Sequence, residues 1–435
     1  MSRRIFFDGL NLALARGTGI ATYTRMLASL VREGGDEVGV VYSSPRRPDK
    51  NPLLREIDFL EPREHFHISR QRKRWNDVVD QLHCLSGVAP TRLNLTGAVV
   101  AEQFRHQIPA HDYLFVGRNL FANATRYFSW SGLFATLDFA VRPNILHCTY
   151  PLPVRAKSAC NIYTIHDLIP LRLPYTTLDN KRQMYRLLRK IAARADHIVT
   201  VSENSRRDII NLLGVDENRV TNTYEAVEFP RDQAERPDDL VAEQLDGLFR
   251  LPAKKYLLFY GALEPKKNVK ALLEAYLLSG VDIPLVLTGA GGWGNQAETR
   301  LIKDVQEQDS ALPFDKRRIR QLEYVDRSML VSLIKGARAV LFPSLFEGFG
   351  LPVLEAMTLG TPVVTSRASS LPEIAGDAAL YVDPYDIDDI TRAIQTIVAD
   401  DGLCAELARR GPIQAELFSV ARYRKRVADL YRRVA

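Results

Sequence analysis

In the stretch SLFEGFGLPVLEAM, from Ser344 to Met357, two carboxylates, Glu347 and Glu355, stand with seven residues between them, and Gly348, Gly350 and Pro352 fall in that interval. Carboxylates accept hydrogen bonds from the hydroxyls of a sugar or a ribose. The glycines let a ligand approach the backbone, and a helix opening near Pro352 offers free N–H groups and the positive end of its dipole to an anion such as phosphate. One short segment thus combines hydroxyl recognition with phosphate binding. Lys266 and Lys267, in GALEPKKN, add cationic donors suited to a diphosphate. His166 and Asp167, in TIHDLIPLRLP, follow an apolar run, although a lone histidine is usually an ordinary hydrogen-bonded residue.

For these groups to meet, the elements carrying them must share an edge. Ala339 to Phe342 predicts a buried strand, and the segment after Pro352 a helix with proline in its first turn. From Tyr256 onward the alternation is regular: strands at 256–260, 284–288, 319–323, 339–342 and 362–365, with helices at 268–279, 296–308, 328–336, 352–359 and 387–399. Such alternation predicts a doubly wound parallel sheet, and ligands of such sheets lie beyond the carboxyl ends of the strands. The loops bearing Lys266, Lys267 and Glu347 then face one cleft.

The first half of the chain repeats the theme less clearly. Ile5-Phe6-Phe7 predicts a strand, and Gly17-Thr18-Gly19 leads into a helix with Tyr23, Met26, Leu27 and Leu30 on one face. Further strands are expected at Val38–Tyr42, Ile145–His147, Asn161–Ile165 and His197–Ser202, the third of them delivering His166 to the cleft. Residues 43–110 carry little pattern, and the aromatic-rich run 120–139 reads as core, with an exposed lipid-facing patch as the alternative. Ser202 and Asn204, like Ser369, Ser370 and Glu373, read as capping residues. Asp386, Asp388 and Asp389 read as a helix cap rather than a metal-binding D-x-D.

At 435 residues, with 46% hydrophobic and 25% charged residues, the chain has room for two globular domains. Its four cysteines show no C-x-x-C spacing, which argues against a metal knuckle and suits a reducing compartment. No apolar run reaches the roughly 18–20 residues needed to span a bilayer, and the start lacks the apolar core of a signal peptide, so a cytoplasmic protein is expected. The net charge of +6 is concentrated at Arg46-Arg47, Arg70 to Arg74 and Arg422 to Arg433. These clusters are either a solvated surface or a peripheral contact with an anionic membrane on its inner face; nucleic acid is disfavoured for want of a recognisable module.

The E-G-F-G loop with its following P-x-L-E-A resembles the donor site of the retaining glycosyltransferases of family 4, of the mannosyltransferase-like group 1 kind. The resemblance implies the α/β GT-B fold: two Rossmann-like doubly wound parallel-sheet domains facing a central cleft. It implies an acceptor-side domain and a nucleotide-sugar domain, which the change of composition between Phe229 and Lys255 divides into 1–235 and 236–415, and a helix over 416–435 crossing back to the first. It implies a nucleotide-diphosphate sugar as donor substrate, with no metal required, and a hydroxyl acceptor. Residue by residue it assigns Glu347 to the donor sugar hydroxyls, Glu355 to the ribose, and Lys267, helped by Lys266, to the diphosphate. The backbone of Gly348, Phe349, Gly350 and Leu351 joins the lysines there. His166 goes to the sugar and the charge near the reacting carbon, Gly17, Thr18 and Gly19 to a loop between donor phosphates and acceptor, and Tyr324 and Val325 to the base. The chain departs from the pattern at Ala262, where many members have arginine. The FDGLNLALARGTGIATY stretch resembles that of mannosyltransferases, which implies GDP-mannose, and the acceptor implied is a glycan or lipid-linked intermediate of bacterial surface polysaccharide. A non-catalytic nucleotide-sugar binder and a phosphorylase or synthase on the same fold are the alternatives; a dinucleotide oxidoreductase lacks its full glycine fingerprint.

Overall fold

The computed structural model describes residues 2–14, 19–61, 84–100, 102–104, 107–289, 296–313, 316–322 and 325–434. Strands β1 (Arg4–Asp8), β2 (Glu37–Ser44), β3 (Thr91–Leu93), β4 (Tyr113–Arg118), β5 (Ala135–Leu137), β6 (Ile145–Cys148), β7 (Val154–Ala156), β8 (Cys160–Thr164), β9 (His197–Thr200) and β10 (Val220–Asn222) come from the first half. Eight of them form one sheet in the order β10-β9-β8-β6-β1-β2-β4-β3, while β5 and β7 pair separately. Only the edge strand β3 runs antiparallel to its neighbour in that sheet. The second half supplies β11 (Leu257–Tyr260), β12 (Leu285–Thr288), β13 (Ile319–Leu322), β14 (Ala339–Phe342), β15 (Val363–Ser366) and β16 (Leu380–Val382). They form a parallel sheet ordered β13-β12-β11-β14-β15-β16.

Strands buried on both faces read as unbroken apolar runs, and β11 and β14 are buried along their whole length for that reason. Strand order reverses between β1 and β6 in the first sheet and between β11 and β14 in the second. Neighbouring loops diverge at these points and leave crevices at the carboxyl ends of the strands. The loop bearing Lys266 and Lys267 follows β11, and that bearing Glu347 follows β14, so both open at the second crevice.

The helix Asp238–Phe249 lies ahead of β11 and buries Val241 and Leu245. Strand β16 and the helices Leu371–Ala375 and Asp401–Ala415 had no periodic signal strong enough to place them. In the aromatic run, the helix Leu120–Ser131 buries Phe121, Tyr127 and Phe128, while Trp130 and Leu133 stay exposed. Asp386 caps its helix by accepting from the N–H groups of Asp388 and Asp389. No helix among the described residues is long and apolar enough to cross a membrane.

The helix Val420–Val434 buries Tyr423, Val427, Leu430 and Tyr431, one stripe at helical spacing. The stripe lies on the first sheet's domain: Tyr431 Oη is 2.6 Å from His147 Nδ1, and the Tyr423 ring meets Tyr23 at 6.5 Å between centroids. Much of the basic C-terminal cluster is engaged within the protein. Arg424 pairs with Glu33, Arg432 with Asp429, Arg433 bonds Thr221, and Arg426 lies over the Tyr224 ring. Arg46 likewise pairs with Asp58 and Glu61. Arg70 to Arg74 lie outside the described residues.

Candidate active site

The loop after β11 closes into a short 3-10 turn, Pro265–Lys267, that ends on Asn268 in the left-handed region at φ 60°. Asparagine tolerates that conformation, and here its side chain donates to the carbonyls of Pro343 (3.1 Å) and Pro384 (2.6 Å). Leu345 N–H donates to Lys266 O at 2.8 Å, so the two cleft loops are sewn together. Lys267 Nζ then lies 2.6 Å from Glu347 Oε1 and 4.6 Å above the Phe342 ring. The two side chains are 13% and 8% exposed, which makes this a buried ion pair at the crevice floor. Burial works against the charge of Lys266, but Glu347, Asp167 and Glu264 outweigh it and hold its pKa above the ordinary lysine value.

The backbone of the glutamate loop is fixed by serines. Glu347 N–H donates to Ser369 Oγ at 2.8 Å, and Ser370 Oγ donates to the carbonyls of Glu347 (3.0 Å) and Phe349 (2.7 Å). The capping expected of Ser370 is absent: it makes no cap hydrogen bond to its own helix and serves the neighbouring loop instead. Gly350 has φ +113°, which favours glycine, and leads into the helix Leu351–Thr358 with Pro352 in the first turn. Phe349 points its ring into the core against Phe418, so only its backbone is available to a ligand.

Glu355 occupies different surroundings. Burial raises its pKa, opposed by the charge of Arg327 and by the neighbouring Tyr260 hydroxyl, whose proton is donated to Pro352 O at 2.7 Å. Arg327 also acts on Arg25 of the first domain, whose pKa burial lowers. Neither arginine had a sequence signal, since each lies on an ordinary helical turn. Val325 packs half-buried at the edge of the core and joins none of the contacts above. Gly17, Thr18 and Tyr324 lie outside the described residues.

From the other sheet, β1 ends at buried Asp8, whose carboxylate accepts from Thr149 N–H (2.5 Å) and Oγ1 (2.9 Å) across the switch point. β8 delivers His166. Its Nδ1 is 3.3 Å from Glu225 Oε1 and its Nε2 is 3.0 Å from Thr149 O. Both partners are acceptors, an arrangement that favours the doubly protonated ring. Burial opposes this, yet the Glu225 carboxylate, the Thr149 carbonyl and Asp167 raise the pKa above the usual histidine value. Beside the ring is a hollow of about 170 Å³ lined by Ile20, Tyr150, His166, Asp167, Asp179 and Lys266.

The domains meet closely here. A Cβ at Gly348 would lie 2.9 Å from Asp167 Oδ2 and 3.0 Å from His166 O, and one at Gly19 would lie 3.8 Å from Leu351 Cδ1. The structure therefore brings His166, Lys266, Lys267, Glu347, Gly348, Gly19 and Leu351 to one seam, while Glu355 faces Tyr260 and Arg327 nearby. Glu225, which orients His166, escaped the sequence reading because nothing in its local pattern marks it.

Two doubly wound sheets joined at their switch points, with cations and carboxylates gathered at the seam, define a glycosyltransferase of the GT-B fold. The chain belongs to the group 1, family 4 glycosyltransferases: the family described as Glycosyl transferases group 1 matches residues 248–414, and Glycosyltransferase Family 4 matches residues 95–228. It is 36% identical over 276 residues to the O-antigen chain mannosyltransferase B of Escherichia coli, covering 62% of this chain and 68% of that protein. It is 29% identical over 278 residues to the serotype-specific mannosyltransferase WbdA of Escherichia coli, covering 61% of this chain and only 32% of that longer protein. Among solved structures, Anabaena Alr3699/HepE in complex with UDP and glucose superimposes with a TM-score of 0.65 at 15% identity, covering 99% of both chains.

Proposed function

We propose that the protein transfers mannose from GDP-mannose to a hydroxyl of a glycan or lipid-linked acceptor in bacterial surface polysaccharide synthesis, with retention at the anomeric carbon. The observation that carries this reading is the buried Lys267–Glu347 pair beside Lys266, set against His166 and Asp167 of the opposite domain. The similarity to O-antigen mannosyltransferases supports mannose and a surface-glycan acceptor.

The leaving group is a diphosphate, so the chemistry is mainly electrostatic and positional. Lys267 exchanges Glu347 for a phosphate oxygen, Lys266 adds a second cation, and the N–H groups at Gly348 to Leu351 complete the cradle without a required metal. Glu347, released, accepts from the donor sugar hydroxyls, and Glu355 accepts from the ribose. His166 remains cationic and stabilises charge beside the reacting carbon; for direct contact, Nε2 exchanges the Thr149 carbonyl for a sugar hydroxyl. The acceptor hydroxyl attacks the anomeric carbon on the face from which the diphosphate departs, its proton passing to a phosphate oxygen. The hollow at Tyr150 and Asp167 receives the acceptor, and closure of the domains keeps water out. Contact with an anionic membrane would use charges other than Arg46 and Arg424, which are paired within the fold.

A thermal-shift panel of GDP-mannose, UDP-glucose and ADP-glucose tests the donor. At 100 times its dissociation constant the correct donor stabilises by about 2.7 kcal/mol. Transfer and hydrolysis are then measured with and without a mannosyl acceptor. Stabilisation by GDP-mannose with no turnover under either condition would favour a non-catalytic binder and overturn the proposal.

A further inference from the structure

The N-terminus of the helix Glu203–Leu213 is completed by a residue from the other domain. Ser205 N–H donates to Ser202 Oγ at 3.0 Å, the cap expected from the sequence. The preceding two N–H groups have a different partner: Glu203 N–H donates to Glu373 Oε1 at 2.7 Å and Asn204 N–H to Glu373 Oε2 at 3.2 Å. Both carboxylate oxygens of a residue beyond β15 thus sit on the positive end of a helix from the first domain.

Two routes lead from this contact to the site. One runs through the donor loop: Ser369 and Ser370, just ahead of Glu373, hold the backbone of Glu347 and Phe349, and Ser205 Oγ donates to Gly348 O at 3.3 Å. The other runs through Tyr224: Asn222 Nδ2 donates to Glu203 Oε1 at 2.9 Å and Asn222 Oδ1 accepts from Tyr224 N–H at 2.8 Å, while burial and the Glu373 charge raise the pKa of the Tyr224 hydroxyl. Tyr224 sits in the left-handed region at φ 59°, and its ring packs edge-on against Phe418, which in turn packs against Phe349. The next residue, Glu225, holds His166.

We infer that Glu373 is a positioning residue for transfer: by docking on the helix Glu203–Leu213 it ties the seating of the donor loop, and through Tyr224 and Glu225 the placement of His166, to closure of the two domains. The inference rests on the donor site proposed above. It makes Glu373 remote from the substrate, acting through the Glu347 loop and His166.

The test uses the full chain as wild type, Glu373→Ala and the near-isosteric Glu373→Gln, which preserves shape if the alanine variant folds poorly. Donor affinity is measured with GDP-mannose by calorimetry, kcat and KM by transfer, and compactness with donor bound by small-angle X-ray scattering. The expected result is a fall in kcat of at least about tenfold, equivalent to about 1.4 kcal/mol, with donor affinity nearly unchanged and a less compact donor complex. Lost donor affinity with kcat intact, a fall in kcat without a change in compactness, or wild-type behaviour in both variants would overturn the inference. If wild type neither binds nor turns over any sugar nucleotide, the donor-site reading fails instead, and scattering of the ligand-free variants decides the role of Glu373 in closure.

Discussion

Breaking the Lys267–Glu347 pair from either side should give unequal costs, and the inequality is set by Lys266. Removing one partner of a buried ion pair costs about 3–5 kcal/mol, because the remaining charge is left without compensation. Glu347, however, also feels the Lys266 ammonium, and that lysine has Asp167 and Glu264 as further carboxylate neighbours. In Lys267→Met the orphaned Glu347 retains Lys266, so the expected loss is nearer 1–3 kcal/mol, the range for leaving a buried polar group under-satisfied. In Glu347→Gln Lys266 keeps Asp167 and Glu264, but the buried Lys267 loses the carboxylate of its ion pair, and the loss should approach the full 3–5 kcal/mol. The double variant should lose less than the sum, since neither charge is left stranded. Urea denaturation followed by circular dichroism measures all three, and transfer assays on the same samples should show Glu347→Gln inactive and Lys267→Met impaired mainly at the diphosphate. Equal costs for the two single variants would refute the backing role of Lys266. Losses below about 1 kcal/mol together with intact transfer would remove the pair from both fold and mechanism.

The pH dependence of stability should bend in two opposite directions. His166 gains protonation in the fold, so its contribution is complete below about pH 6.5 and fades as pH rises through its raised pKa; His166→Gln should flatten that alkaline limb in a urea titration. His147 is pushed down to about 3 by burial, with the charges of His166 and His197 adding to it, so stability falls as pH drops from about 6.5 towards 3. Tyr431→Phe removes the Nδ1 partner of His147 and should cost about 1–3 kcal/mol by denaturation. Gly348→Ala drives a methyl group against the His166 carbonyl, and should cost about 1–3 kcal/mol and slow transfer; unchanged activity would mean that the seam is not close-packed during turnover.

The second sheet was legible because its strands are short unbroken apolar runs and its functional loops follow them directly, so position along the chain implied position at the cleft. The helices Val269–Ser279, Arg327–Gly336 and Ile387–Ala399 lie within a residue or so of where periodicity put them. What could not be read was cooperation between distant segments. Glu373 is separated from its partners Glu203 and Asn204 by 170 and 169 residues, and in sequence it looks like a helix-start acid. Glu225 lies in TYEAVEFP, where nothing announces a histidine 59 residues earlier as its partner. Ser369 and Ser370 were visible as helix-start residues, but the choice between capping their own helix and holding another loop is made only by tertiary packing.

The closing helix Val420–Val434 has a consequence for how the protein is made. His147 waits for Tyr431, which follows 284 residues later. At translation speeds of about 5–20 residues per second, that is a delay of roughly 15–60 s. Through that interval the nascent first domain leaves unfilled the seat that Tyr423, Val427, Leu430 and Tyr431 later occupy. Covering of that side of the first domain is thereby deferred until after the strands of the second sheet have been synthesised.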